Sequence, residues 1–410
     1  SIAVVNFVTY QKDSQGSAKP FAAETITDVC GAVAALDKVG GVALQKQQAL
    51  KEGASAAAAA AEILWLAASA VEDGNLSTVF ATAATKAAEC RRQALNELDG
   101  SLSTALLASS NAGRASGAVG ELVDLLIKTD DGDGAGRCIA ANTNGTQGNK
   151  AGRYGCPPMA LSAITPSKHS DSPDLTPTGL QKLNGGDGST QHLDSANKCS
   201  LLAAGNNDAT KLFQTAATTQ HDAFYGMVTL TAHTTPNSAT IGKKALNNLG
   251  TRWQKTTPTT NIEKLYVQYG TVVNIPEPSC GQTTDDVITY ALDPANSAGL
   301  LKEAIQARSG TKITTGDGGA ADTFKAAADN KTPIVDKLRE KLTQTKAQKV
   351  EETSAKLTKI DVKSAAADIE KSLLVQHITN RQLLIALKAA TSSGGCEKGE
   401  AGASKFTDTT

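Results

Sequence analysis

The feature that most restricts this chain is an apolar seam whose steps alternate between four and three residues. It runs through Val29, Val33, Leu36, Gly40, Ala43, Gln47, Leu50, Ala54, Ala57, Ala61 and Leu64. Such spacing turns one face of an α-helix toward a partner helix, as in a coiled-coil seam. Within it, ASAAAAAAEILWLAASA is almost wholly strong helix former, and its alanines let a neighbouring helix come close. A second register passes through Ala84, Ala88, Arg91, Leu95, Leu98, Leu102, Ala105, Ser109, Ala112, Ser116, Val119, Val123 and Leu126. The segment EDGNLS lies between them, with Gly74 placed to end one helix and Ser77 to cap the next. Two long helices joined by so short a loop run antiparallel. About 50 residues each, at 1.5 Å per residue, give a hairpin on the order of 75 Å long, which predicts a rod.

The hairpin is assigned to 22–127. From KTDDGDGAGRC to about residue 206 the chain is rich in Gly, Pro, Ser, Thr and Asn and shows no sustained period, so 128–206 reads as cysteine-bearing head loops. Short helices and loops fill 207–317, with helical stretches near 208–229, 239–250 and 284–307 and one strand candidate in VQYGTVVNI. Helical text returns over 318–391 with one break at Pro333, and its last part carries Val362, Ala366, Ile369, Leu373, Gln376, Asn380, Leu383 and Leu387 in the same spacing. Gly394 and Gly395 end it. The remaining residues, 394–410, have the composition of a linker to a truncated C-terminal domain. The fold expected is mainly α. It is an elongated rod built on a long antiparallel helical hairpin plus a returning third long helix, with a disulfide-tied irregular head lobe of short helices and few strands.

Composition narrows the function. Aromatic residues are only 4% of the chain, so the core must be built from small and aliphatic side chains. Lys plus Arg total 40 against 41 for Asp plus Glu, and no basic stripe is present to neutralise phosphates, which excludes nucleic acid as a partner. The sequence starts at Ser1 without a charged and apolar leader and contains no unbroken apolar run of 18 residues. It reads as a mature ectodomain, from which processing can have removed a leader and a C-terminal anchoring signal.

Seven cysteines stand at 30, 90, 138, 156, 199, 280 and 396, without zinc-type spacing. Cys138 and Cys156 bracket a Gly, Asn and Thr-rich loop, where a disulfide would replace a missing core. Cys30 and Cys90 lie on helical patterns that also suit buried thiols, but oxidised structural pairs are the expectation. The odd count leaves Cys396, in the polar end segment, as the natural unpaired thiol within this sequence. Sequons at Asn75, Asn144 and Asn330 fit a secreted context, the last followed by Pro333.

No catalytic constellation emerges. DDGDGAG opens like a calcium loop, but the twelfth position from Asp131 is Asn142, not a bidentate Glu. The glycines 132, 134 and 136 follow a helix, so they form no phosphate cradle. His377 reads as a satisfied helix residue, Arg91 on the apolar seam as a snorkelling or ion-paired side chain at the edge of the bundle, Trp65 as packing in the rod, and the acidic pairs Asp285-Asp286 and Glu351-Glu352 as solvated faces. No cofactor, metal or catalytic residue is expected.

A helical hairpin, a cysteine-bearing head, a returning helix and a polar tail with a further cysteine together resemble the N-terminal domain of the variant surface glycoproteins of African trypanosomes. The resemblance spans about 1–395 and draws on ECRRQALNELDGSLSTALLASSNAGRASGAVGELVDLLIKT, the following GRC…GC loop and ANKCSLL. Cysteines 30, 138, 156 and 199 resemble the set of the subgroup with an irregular top lobe, class B. The resemblance implies pairs Cys30–Cys156 and Cys138–Cys199, with Cys90 and Cys280 paired to each other or free. It also implies a glycosylphosphatidylinositol (GPI) anchor on a missing C-terminal part and a place on the outer face of the plasma membrane. The partners implied are a second or third copy of the chain, as homodimer or homotrimer, and host antibodies. The function implied is a dense protective coat with antigenic variation and evasion of host antibody. A surface receptor for a host protein on the same scaffold is the alternative. Some class B members carry an O-linked hexose on upper loops, for which RSGTKITTGDGG offers Ser309, Thr311, Thr314 and Thr315.

Overall fold

The computed structural model describes residues 19–129, 138–141, 151–158, 160, 162–170, 172–189, 199, 204, 213, 220–233, 239–314, 316–351, 356–364 and 366–393. Helices dominate. α1 (Ala23–Asp37) and α2 (Val39–Ala70) share one buried seam but part at Lys38, so the single helix expected over 22–71 is two. α3 (Gly74–Lys128) runs unbroken for 55 residues. The antiparallel hairpin is fixed by Ser77 Oγ donating to Ala68 O at 2.6 Å and by Gln47 Nε2 donating to Ser101 Oγ at 2.8 Å. Asp73, not Ser77, caps α3: its carboxylate accepts from the amides of Asn75 and Leu76 at 2.9 and 2.8 Å.

The first seam is buried throughout except at Gln47, which is half-buried. On α3 the expected register holds at Ala84, Ala105, Ala112, Val119, Val123 and Leu126 and fails between: Ala88, Arg91, Leu95 and Leu102 are exposed. Ala83, Ala87, Cys90 and Ala94 face inward instead. Two adjacent rows of small side chains satisfy the same spacing, and the inner row is the one that contains Cys90.

The chain divides into two compact units, each discontinuous in sequence: 1–48 with 97–276, and 49–96 with 277–410. In the first, β1 (Phe21–Ala22) pairs in parallel with β2 (Ile139–Ala140). β3 (Asn184–Asp187), β4 (His221–Ala223), β5 (Val228–Thr231) and β6 (Thr240–Ala245) form an antiparallel sheet in the order β3-β6-β5-β4. No α-helix stands among the described residues of 208–229 and 239–250, where helices were expected: β4, a 3-10 turn at Phe224–Gly226 and the start of β5 occupy the first range, and β6 followed by irregular chain occupies the second. Conversely, the strand candidate VQYGTVVNI belongs largely to α4 (Asn261–Val273). A capping box starts α4: Thr260 accepts from the Glu263 amide and Glu263 accepts from the Thr260 amide. Its buried residues Ile262, Leu265, Tyr266, Tyr269 and Val272 then recur at helical spacing.

The second unit packs α5 (Thr284–Leu292), α6 (Pro294–Ser309), α7 (Ala320–Ala327) and α8 (Ile334–Gln344) around Leu64, Leu66, Phe80, Phe324, Leu338 and Leu342. Each such large side chain contributes roughly 1.5–3 kcal/mol by leaving water. The returning helix expected over 318–391 is broken more than once. After α7 and α8 comes a hairpin of β7 (Lys346–Val350) and β8 (Leu357–Asp361), and only α9 (Ala366–Ser393) is long. One window within Ala23–Ala70 is long and apolar enough to cross a membrane by length and composition, but 61% of it is buried inside the fold.

Candidate functional site

In the first unit, two covalent ties hold the chain that follows α3. Cys30 of α1 is bonded to Cys156, and Cys138 to Cys199, with Cα atoms 4.3 and 4.4 Å apart. A third tie, Cys90–Cys280, lies in the second unit and fastens α3 to the loop before α5. Next to Cys156, Arg153 clamps the turn onto α3: Nε meets Asp124 at 2.7 Å, Nη2 donates to Gly120 O at 3.3 Å, and Nη1 donates to Pro157 O. Tyr154 is buried there in the left-handed region, φ 56°. Phe21, whose amide donates to Cys138 O at 2.8 Å, meets Phe224 edge-on. Where few apolar side chains are available, crosslinks limit the unfolded chain instead.

The exposed segment from Ser162 to Ser170 crosses α2 at Gly41. A Cβ on Gly41 would stand 2.4 Å from Ser167 Oγ, and the Ser167 amide donates to Gly41 O at 3.0 Å. The segment ends in an aromatic box where His169 Nδ1 lies 3.1 Å from the Tyr269 hydroxyl and its ring stands edge-on to Trp253.

The charged groups serve structure. Asp28 and Lys243 meet at 3.1 Å between α1 and β6, with side chains only 9% and 13% exposed; burial raises the Asp28 pKa, and the Lys243 contact partly offsets this. Burial alone would raise Glu263, but the amides of Thr260 and Thr259, the Thr259 hydroxyl and Lys255 outweigh it and hold the pKa at about 2. In the second unit an open groove of about 620 Å³ is lined by Asp285, Asp286, Asp293 and Arg339 among others. Each carboxylate already has a structural partner: Asp285 is held below the usual range by Lys363 at 2.6 Å, Asp286 caps α5 and Asp293 caps α6. Among the described residues, no three His, Cys, Asp or Glu side chains converge as metal ligands.

The expected modification sites are scattered. Asn75 is exposed in the first turn of α3, and Asn330 is exposed in the left-handed region, φ 56°, ahead of the cis Thr332–Pro333 bond. Ser309 and Thr311 bond to each other's backbone at the end of α6, and both are exposed, as is Thr314. Asn144, Thr315, Cys396, the DDGDGAG segment from Asp130 and the Gly394-Gly395 pair lie outside the described residues. His377 and Arg91 are exposed. Trp65, expected to pack in the rod, is 45% exposed.

A family model described as trypanosome variant surface glycoprotein (A-type) matches residues 2–374. The fold is similar to a solved structure titled "Structure of MITat 1.1", at a TM-score of 0.63 and 16% identity, over 91% of this chain and 100% of that one. No curated protein matches the sequence. The matched family is the expected one, but the type is A where class B was expected. Cysteine spacing carried the family and did not separate its types.

Proposed function

Because the chain belongs to the trypanosome variant surface glycoprotein family, a family of surface coat proteins and not of enzymes, we propose that it forms a dense protective coat on the outer face of the plasma membrane. In this reading identical copies stand side by side as homodimers or homotrimers, each held by a GPI anchor on a C-terminal part. Residues 1–393 form the coat domain and 394–410 a linker. Variation of the exposed loops then changes what host antibodies meet, which is antigenic variation.

The observation that carries this reading is the division of labour between core and loops. The seam of α1, α2 and α3 and three disulfides hold the fold, while the segment from Ser162 to Pro166 and the turn around Ser309 and Thr311 are exposed and contribute little to the core. Such loops can change without loss of packing. N-linked sugar on Asn75, Asn144 or Asn330 and an O-linked hexose on Ser309, Thr311, Thr314 or Thr315 belong to the same proposal. Intact mass before and after N-deglycosylation tests the hexose, and the absence of residual hexose mass rejects it.

The coat reading is tested by treating living cells that display the full-length protein with a phosphatidylinositol-specific phospholipase. The chain is expected to dominate the released surface protein. Release in scarce amounts would replace the coat with a receptor for a host protein, and failure of release would reject the anchor.

A further inference from the structure

The core-facing stripe of α9 outruns the core. Ile369, Ser372 and Gln376 are buried, yet on the same face further along, Leu383 and Leu387 are each 64% exposed and Leu384 is 53% exposed. The steps from Ile369 through Leu373, Gln376, Asn380, Leu383 and Leu387 are four, three, four, three and four. In heptad terms Leu373, Asn380 and Leu387 occupy a, and Ile369, Gln376 and Leu383 occupy d. The family match ends at residue 374, so the exposed part of the stripe lies beyond it.

We propose that the turns from Asn380 to Thr391 pair in parallel, and in register, with the same turns of a second copy as a two-stranded coiled coil. Asn380 decides the occupant. An apolar partner would cover Leu383 and Leu387 but leave an amide facing hydrocarbon, whereas an identical helix brings a second Asn380 to the same level. A lone Asn at an a position beside Leu at d selects two parallel strands and one register, at a cost in stability. Gln376 Nε2 donates to Asn380 Oδ1 at 3.1 Å and orients that amide. Ile378 and Ile385, 46% and 57% exposed, lie on the opposite face, outside the seam. The inference rests on the coat reading, in which neighbouring copies share one orientation. A helix this short does not dimerise alone, so the pairing acts on copies already brought together elsewhere.

The test uses the whole chain with Cys396→Ser, bearing Leu383→Cys, Leu387→Cys or Ile385→Cys, under mild oxidation, with sedimentation of the parent at the same concentration. Both seam variants should form interchain disulfides roughly tenfold faster than Ile385→Cys, because only they bring paired Cβ atoms within disulfide range. In the same assay Asn380→Leu should give species heavier than dimer. Equal rates at the three positions in a self-associating protein would overturn the pairing and leave the coat reading standing. A parent that sediments only as monomer would overturn both, and crosslinking at just one seam position would mean antiparallel helices and reject the register.

Discussion

Gly270 of α4 lies directly against Trp253: a Cβ built on Gly270 would stand 1.9 Å from the Trp253 Cβ and 3.2 Å from its Cα. The indole, 5% exposed, packs on Tyr266 and Tyr269 from this position. Trp253 itself has a φ of 66°, so its backbone has little room to yield.

Gly270→Ala should therefore destabilise the first unit by about 1–3 kcal/mol or more, the usual cost of overpacking a filled site. Denaturant unfolding read by tryptophan fluorescence measures this directly, because Trp65 and Trp253 are the two tryptophans of the chain. An unchanged midpoint would mean that α4 and the turn around Trp253 separate easily.

Joint replacement of Cys90 and Cys280 by Ala should lower stability by about 2–5 kcal/mol, as for other native crosslinks, and the loss should fall on the second unit. Domain-resolved hydrogen exchange tests the location. Amides of α5 should lose protection while those of α4 retain it.

Glu263 supplies a pH dependence of known sign. Its folded pKa of about 2 lies below the ordinary 4.5, so its contribution is complete above pH 4.5 and is lost as the pH falls toward 2. After allowance for solvent screening, the contribution is on the order of 2 kcal/mol. Glu263→Gln should lower the thermal midpoint at pH 7 and flatten its dependence between pH 4.5 and 2. Parallel curves for variant and parent would show that the carboxylate is not the source.

Asn75 and Asn330 should differ in glycan occupancy. Asn75 is exposed with nothing after its sequon to hinder modification, whereas Pro333 directly follows the Thr332 of the other. Asn75→Gln should remove more N-linked mass from protein made in its native cells than Asn330→Gln, as read by intact mass spectrometry.

The legible parts of the fold were those where one side-chain pattern admits one structure. The α1 and α2 seam could be read position by position because Val29, Leu36, Leu50 and Leu64 are too large to stand on any other row. On α3 the alanines beside Cys90 fit two rows equally, and the choice depends on a partner 190 residues away. β7 and β8 escaped notice because KAQKV and LTKID are mostly polar and bury little beyond Ala347. α4 read as a strand because its valines and tyrosines favour strands, while the Thr260 and Glu263 pair that starts it went unused. At the candidate site, spacing displayed the cysteines and sequons. Arg153 on Asp124 and Gly41 beneath Ser167 depend on approaches between distant segments, which no local pattern records.

The bond between Cys90 and Cys280 also sets a schedule for synthesis. At about 5–20 residues per second, roughly 10–40 seconds separate the appearance of the two residues. Over that interval Cys90 is a thiol without its native partner, while Cys138, Cys156 and Cys199 emerge and pair around it. The first segment of the second unit, 49–96, must likewise wait for 277–410 to be made. A chain built this way depends during its production on whatever keeps a nascent thiol and an incomplete alanine-rich helix pair from the wrong company.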